Sequence, residues 1–181
     1  ADQKLLSQYL ATQVDYHNDA FSALNTAFTN NGAFVVIPRG KVVAAPIHLS
    51  FITTEANVVS YPRVVVVAEE GSLATLIESY VALNDDAVYF TNAVTEIVVK
   101  ADANLTHYRL QSESTSAFHI ATTQVQQEGK STYASYAISL GADIARHTLN
   151  AKLDGEHVES TIDGLYVVTG KQHCDNHTTI D

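Results

Sequence analysis

From Ala33 onward the apolar residues come in short β-branched runs: Ala33–Ile37, Lys41–Ala44, Val58–Ser60, Val64–Ala68, Val88–Phe90 and Ile97–Val99. Gly, Pro, Asn or Asp clusters separate them, and no spacer is long enough for a crossover helix. Strands punctuated only by turns predict a mainly β body rather than alternating βαβ units. Val, Ile and Thr together supply 48 of the 181 residues. Such side chains are stiff at χ1 and suit a pleated surface.

A weak repeat narrows the choice. Val67–Ala74 aligns with Val99–Thr106, an offset of 32, each reading as strand, acidic turn, small pair, Leu, strand. Further on, Gly129, Gly141, Gly155 and Gly170 follow at intervals of 12, 14 and 15. A strand and turn recurring at such intervals is what a β-solenoid requires, each coil pairing with the next and turning alternate side chains inward. A sandwich or barrel also spaces its strands closely, so the pattern alone leaves both open.

Residues 3 to 28 read differently. Leu5, Leu6, Tyr9 and Leu10, then Phe21, Leu24 and Phe28, recur at three- and four-residue spacings, which predicts two short helices. Asp15 or Asn18–Asp19 would cap the second, and Asn30–Asn31–Gly32 reads as its stop.

Charge and length exclude several classes. The net charge is -10, which argues against a large footprint on nucleic acid or anionic membrane. No apolar run approaches a membrane span. One cysteine rules out a disulfide scaffold within the chain and fits a reducing compartment. With no methionine, even at position 1, and a last stretch that stops in strand-like sequence, the chain is expected to be a piece of something longer.

Side chains with reactive chemistry are few. His173–Cys174–Asp175–Asn176–His177 is the densest metal-capable cluster. Strand alternation would put His173, Asp175 and His177 on one side and Cys174 on the other, and no second cysteine completes a closed site. The expectation is therefore no metal site, with His173, Cys174 and His177 the nearest approach to one. Cys174 as a nucleophile would need a base from His173 or His177. His107, His119, His147 and His157 read as satisfied or solvated. The pairs Glu69–Glu70 and Asp85–Asp86 fall at predicted turns, where adjacent carboxylates diverge. Phosphate-cradling glycine motifs are absent. No catalytic or cofactor-binding residue is assigned.

Several strings resemble the SufB/SufD family of iron–sulfur cluster assembly proteins. They are Asn31–Gly40, Ala45–Leu49, Pro62–Glu69, Ala74–Tyr80, Thr91–Ile97, Tyr108–Gln111, His119–Ile120 and Asp175–Thr178. The Pro46–Leu49 and Asp175–Thr178 segments place it closest to the SufD members. The resemblance implies a right-handed parallel β-helix with a short helical N-terminal segment, residues 1–31, followed by a β-helix core over 32–181 that is cut short at its C-terminus. It also implies a non-enzymatic scaffold subunit, cytoplasmic or in a plastid stroma. The implied partners are a SufB-like subunit and a SufC-like ATPase. The iron–sulfur cluster would belong to the full complex rather than to this fragment, and the fragment alone would form a homodimer. In that family the SufC-binding helices and the cysteine and histidine tied to assembly lie beyond the strand that Asp175–Thr178 begins. No functional residue carries over, and Cys174 is not the assembly cysteine by position. The competing expectation is a carbohydrate-active β-helix enzyme with acidic groove residues. It would require Asp85, Asp86, Asp102 and Asp143 to converge on one face.

Overall fold

The computed structural model describes residues 3–181, so residues 1 and 2 of the helical segment lie outside the described residues. Two helices open the chain, α1 (Gln3–Tyr9) and α2 (Ala20–Phe28). Asp19 caps α2, its carboxylate accepting from the amides of Phe21 and Ser22. Asp15 instead closes its own turn onto His17 and Asn18. The expected stop at Asn30–Gly32 is not the stop: α2 ends at the extended C-cap Thr29, and Asn31 and Gly32 already belong to a strand. Gly32 is required there by proximity, because a Cβ on it would lie 1.8 Å from the Arg63 carbonyl oxygen.

Twelve strands follow. One parallel sheet has the order β1 (Asn31–Ile37), β4 (Pro62–Ala68), β6 (Phe90–Val99), β8 (Phe118–Glu128), β10 (Ile144–Asp154), β12 (His173–Ile180), with the short β3 (Val59–Ser60) also pairing β6. The other has the order β11 (Glu159–Tyr166), β9 (Thr132–Ser139), β7 (Asn104–Ser112), β5 (Leu73–Ala82), β2 (Ile47–Thr53). The chain alternates between the two sheets, so each coil contributes one strand to each, and the whole is a mainly β solenoid of about five turns. The run Lys41–Ala44 is not a strand: it follows the corner at Gly40, and only Val42 makes a bridge, to Leu73.

The register corrects the repeat. Val67 stands beside Val98, and Leu73 beside Asn104, an offset of 31 rather than 32. One residue of slip exchanges the two faces of a strand. The corners Gly40, Gly71, Asp102, Lys130 and His157 all have left-handed φ, between 57° and 67°, and the first three confirm 31, while the later coils shorten to 28 and 27 residues. The amides of the first four each donate to the next coil, to Glu70, Ala101, Gly129 and Glu156 respectively. The glycines at 129 and 155 occupy this corner, while those at 141 and 170 occupy the opposite one, so their intervals count half-coils.

Inward-facing Val64, Val66, Leu76, Ile97, Leu105 and Val125 form one aliphatic core. The outer face of β4 and β6 is buried too, because α2 packs on β6. Glu96, pointing outward, is the anchor. Its carboxylate accepts from the amides of Ala11, Gln13 and Val14 at 2.8, 2.9 and 3.3 Å and from Arg63 Nη2 at 2.7 Å. Arg63 in turn donates to Asn25 and Thr26 of α2. Among the described residues no helix is long and apolar enough to cross a membrane.

Candidate functional site

Inside the coils the aliphatic packing covers only part of the cross-section. Beside it, stacked coils turn polar and charged side chains inward. In β7 the alternation buries Leu105, His107, Arg109 and Gln111 and leaves Tyr108 outward. The 31-residue register then stacks Glu78 on Arg109 and Tyr80 on Gln111, and across the interior β6 and β8 stack Thr91 on His119.

Glu78 is the first centre. It accepts from Tyr80 Oη at 2.7 Å and from Thr95 Oγ1 at 3.1 Å, and its Oε1 lies 3.1 Å from His107 Nε2. The other ring nitrogen of His107 meets Tyr133 Oη at 3.0 Å. Burial works against an ionised Glu78, but the contacts with His107 and Tyr80 outweigh it and hold the carboxyl below its ordinary value. Burial, with the Glu78 charge beside it, pushes Tyr80 well up, so that phenol stays a donor.

Glu113 is the second. Its Oε1 accepts from Thr91 at 2.8 Å, and its Oε2 accepts from Gln111 at 3.1 Å and lies 2.5 Å from His119 Nδ1. Arg109 donates to His119 Nε2, which requires a lone pair there and hence a neutral ring. Burial lowers the His119 pKa accordingly, against the pull of Glu113. The Arg109 guanidinium also lies 5.2 Å from the Tyr80 ring centroid. For Glu113 the partners outweigh the burial penalty, and its pKa is lowered. Further along, His147 pairs with Thr123 Oγ1 at 3.0 Å; burial first and the Arg109 charge second hold it neutral. The arrangement can hold negative charge in a dry interior and fix protons on named atoms.

Each mouth of this interior opens on a cleft. At the N-terminal end a cleft of about 540 Å³ reaches Tyr80, Thr91 and Glu113. At the other end one of about 220 Å³ is lined by Ser135, His147, Asn176 and His177 among others.

Most residues singled out in the sequence lie elsewhere, although Asn176 and His177 line that second cleft. In β12 Cys174 and Asn176 stand beside the buried Ala145 and His147 and so face inward, while His173, Asp175 and His177 face out with Ile144, Arg146 and Thr148. His177 Nε2 is 3.0 Å from Asp175, and Asn176 donates to Cys174 Sγ at 3.4 Å. Among the described residues no three or more His, Cys, Asp or Glu side chains gather to hold a metal ion. Asp85, Asp86 and Asp143 sit on one corner of the solenoid, two coils apart, and Asp102 on the opposite corner, and Glu70 pairs with Arg39 at the surface. The four aspartates therefore do not gather on one face. His157 is an exposed corner residue, but His107, His119 and His147 are buried and brought into one interior. The sequence signal that could have found His107 was the register: at an offset of 31 Glu78 falls on Arg109 and Leu76 on His107, whereas His119 and His147 lie in coils offset by 28 and 26 that the repeat does not reach.

The chain matches two family models, the SUF system FeS cluster assembly SufBD core domain over residues 51–181 and the SufBD protein N-terminal region over 1–49. It is 36% identical over 184 residues to an iron–sulfur cluster assembly SufBD family protein of Synechocystis sp., covering 97% of this chain and 40% of the relative. The chloroplastic protein ABCI7 of Arabidopsis thaliana is 31% identical over 90% of this chain and 36% of its own length. The iron–sulfur cluster assembly protein SufD of Escherichia coli is 30% identical over 90% of this chain and 39% of its own length. The chain thus spans about two fifths of the length of these relatives.

Proposed function

The chain belongs to the SufBD family of iron–sulfur cluster assembly proteins, and on that premise we propose that it is the helical entrance and β-helical body of a non-enzymatic scaffold subunit. The observation that carries this reading is the coincidence of the SufBD core match over 51–181 with a parallel solenoid. Its working partners are a SufB-like subunit and a SufC-like ATPase, engaged through regions of the parent protein as well as this one. Its place is the cytoplasm, or the plastid stroma in a plastid-bearing source, in line with relatives from a bacterium and a chloroplast. The iron–sulfur cluster is cargo of the assembled complex. This chain offers one thiolate, Cys174, where clusters usually take several.

Alone, the chain is expected to self-associate through the strand edges of β11 and β12, which end the two sheets. Sedimentation at high micromolar concentration checks this, and a monodisperse monomer counts against it. The main test is co-purification of the full-length parent protein from its source. Stoichiometric recovery of an ABC-type ATPase with a second SufBD-type subunit is the expected result. A parent protein that purifies without either, or that cleaves glycosidic bonds, would overturn the reading. Anaerobic reconstitution of this chain should leave no stoichiometric iron chromophore; one that disappears in Cys174→Ala would contradict the cargo assignment.

A further inference from the structure

Parallel sheets are ordinarily covered on both faces. In one sheet α2 packs on β6 and helps to bury the outer face of β4 and β6. The outer face of the other sheet stays open. There the register builds two apolar columns along the solenoid axis, Leu110, Ile138 and Leu165 in one and Ile77, Tyr108 and Tyr136 in the other. The two tyrosines stack at 5.0 Å with 19° between the ring planes. Tyr108 and Leu165 are nonetheless 39% and 57% exposed. A contiguous apolar face of this kind marks a surface that another element covers.

The charge of this face selects the cover. On the outward side of β5, β7, β9 and β11 the charged side chains are Glu159 and Asp163, and among the described residues neither Lys nor Arg stands there. The corner at which these strands end adds the solvent-reaching Asp85, Asp86 and Asp143 against one cation, Lys171. A second copy docked face to face would set these acids against one another. The element that matches is a helix, as α2 is on the other sheet, with an apolar stripe flanked by Lys or Arg. This chain spans about two fifths of the length of its relatives, so most of such a protein lies outside it. Tethering would hold a helix from that remainder at high effective concentration. We propose that the outer face of β5, β7, β9 and β11 is covered by a basic-rimmed amphipathic helix of the parent protein, drawn from outside these 181 residues.

The test uses the full-length parent protein with the photo-crosslinker p-benzoylphenylalanine at position 108 or, separately, at position 165. After irradiation, the expected product keeps the monomer mass on a denaturing gel. Peptide mass spectrometry should join either position to one segment outside these 181 residues, with apolar residues three and four apart and Lys or Arg beside them. The crosslinker at position 152, on the outer face of the other sheet, should not give that product. Two changes at the exposed Leu165 read the charge of the cover without entering the core. Leu165→Lys should cut the position-108 product about threefold, and Leu165→Glu should cut it less, because the rim of the cover is basic. Several results would overturn the proposal: a product with a second copy or another protein, one confined to these 181 residues, or one with an acidic segment. So would no product at either position, the same product from position 152, or Leu165→Glu as harmful as Leu165→Lys.

Discussion

Glu96 ties the helical segment to the outer face of the solenoid. One buried carboxylate satisfies three backbone amides of the segment joining the helices and the Arg63 guanidinium at once. Glu96→Ala would leave a buried cation and three amides without their acceptor, so a loss of about 3–5 kcal/mol is expected by urea denaturation. A loss under about 1 kcal/mol would mean that water replaces the carboxylate readily. The interior histidines give a second expectation. Unfolded, His119 and His147 take up protons near their ordinary value of 6.5; folded, burial holds them neutral to lower pH. The unfolded state therefore binds more protons in that window, and stability falls as pH drops below 6.5. Glu78 and Glu113, both depressed from 4.5, add a further loss at still lower pH as they protonate. Urea midpoints at pH 7.5 and 5.5 check the first step, and His147→Gln should flatten it. An unchanged midpoint would contradict neutral burial. None of these groups was legible singly. A histidine in a β-branched stretch reads the same whether it faces water or Glu78, and the face is decided by a register that the repeat misplaced by one residue.

At the scale of elements, turns carry the constraint. The corner formed by Gly40, Gly71, Asp102, Lys130 and His157 keeps a left-handed backbone in every coil while its residue types change. The hydrogen-bonded stack holds the conformation whether or not glycine is present. Gly40 has open space where a Cβ would go, so Gly40→Ala should cost only the backbone term, about 1 kcal/mol. Gly32→Ala would drive a methyl into the Arg63 carbonyl and should cost about 3 kcal/mol or more, unpairing β1 from β4. Thermal melts of the two variants distinguish them, and equal losses would refute the distinction. The two helices and most strands were legible because hydrophobic period and branching act locally. The strand expected at Lys41–Ala44 failed because a corner follows Gly40 whatever the propensity of the next three residues. Likewise Asn30–Asn31–Gly32 looked like a helix stop, although the glycine there answers to Arg63 in the neighbouring coil, 31 residues away.

The molecule as a whole is graded along its axis. β4 and β6 are buried on both faces, whereas β11 and β12 are largely exposed. Each coil contacts chiefly its neighbours, so stability should follow local burial. Amide hydrogen exchange is expected to be slowest in β6 and β8 and to quicken toward β12; uniform protection would refute this. Solenoid architecture was legible because stacking repeats leave a trace in the chain, while the internal charges were not, since they depend on what each repeat meets across the coil. The Glu96 anchor has a consequence in time. The helices are made before the strands that receive them, whose surface is assembled from Arg63, Asn92 and Glu96, with Asp19 reaching as far as Thr122. During synthesis the two helices must therefore wait, unpacked, until the strands carrying those residues have emerged and coiled. A segment made ahead of its dock is among the last to find its place.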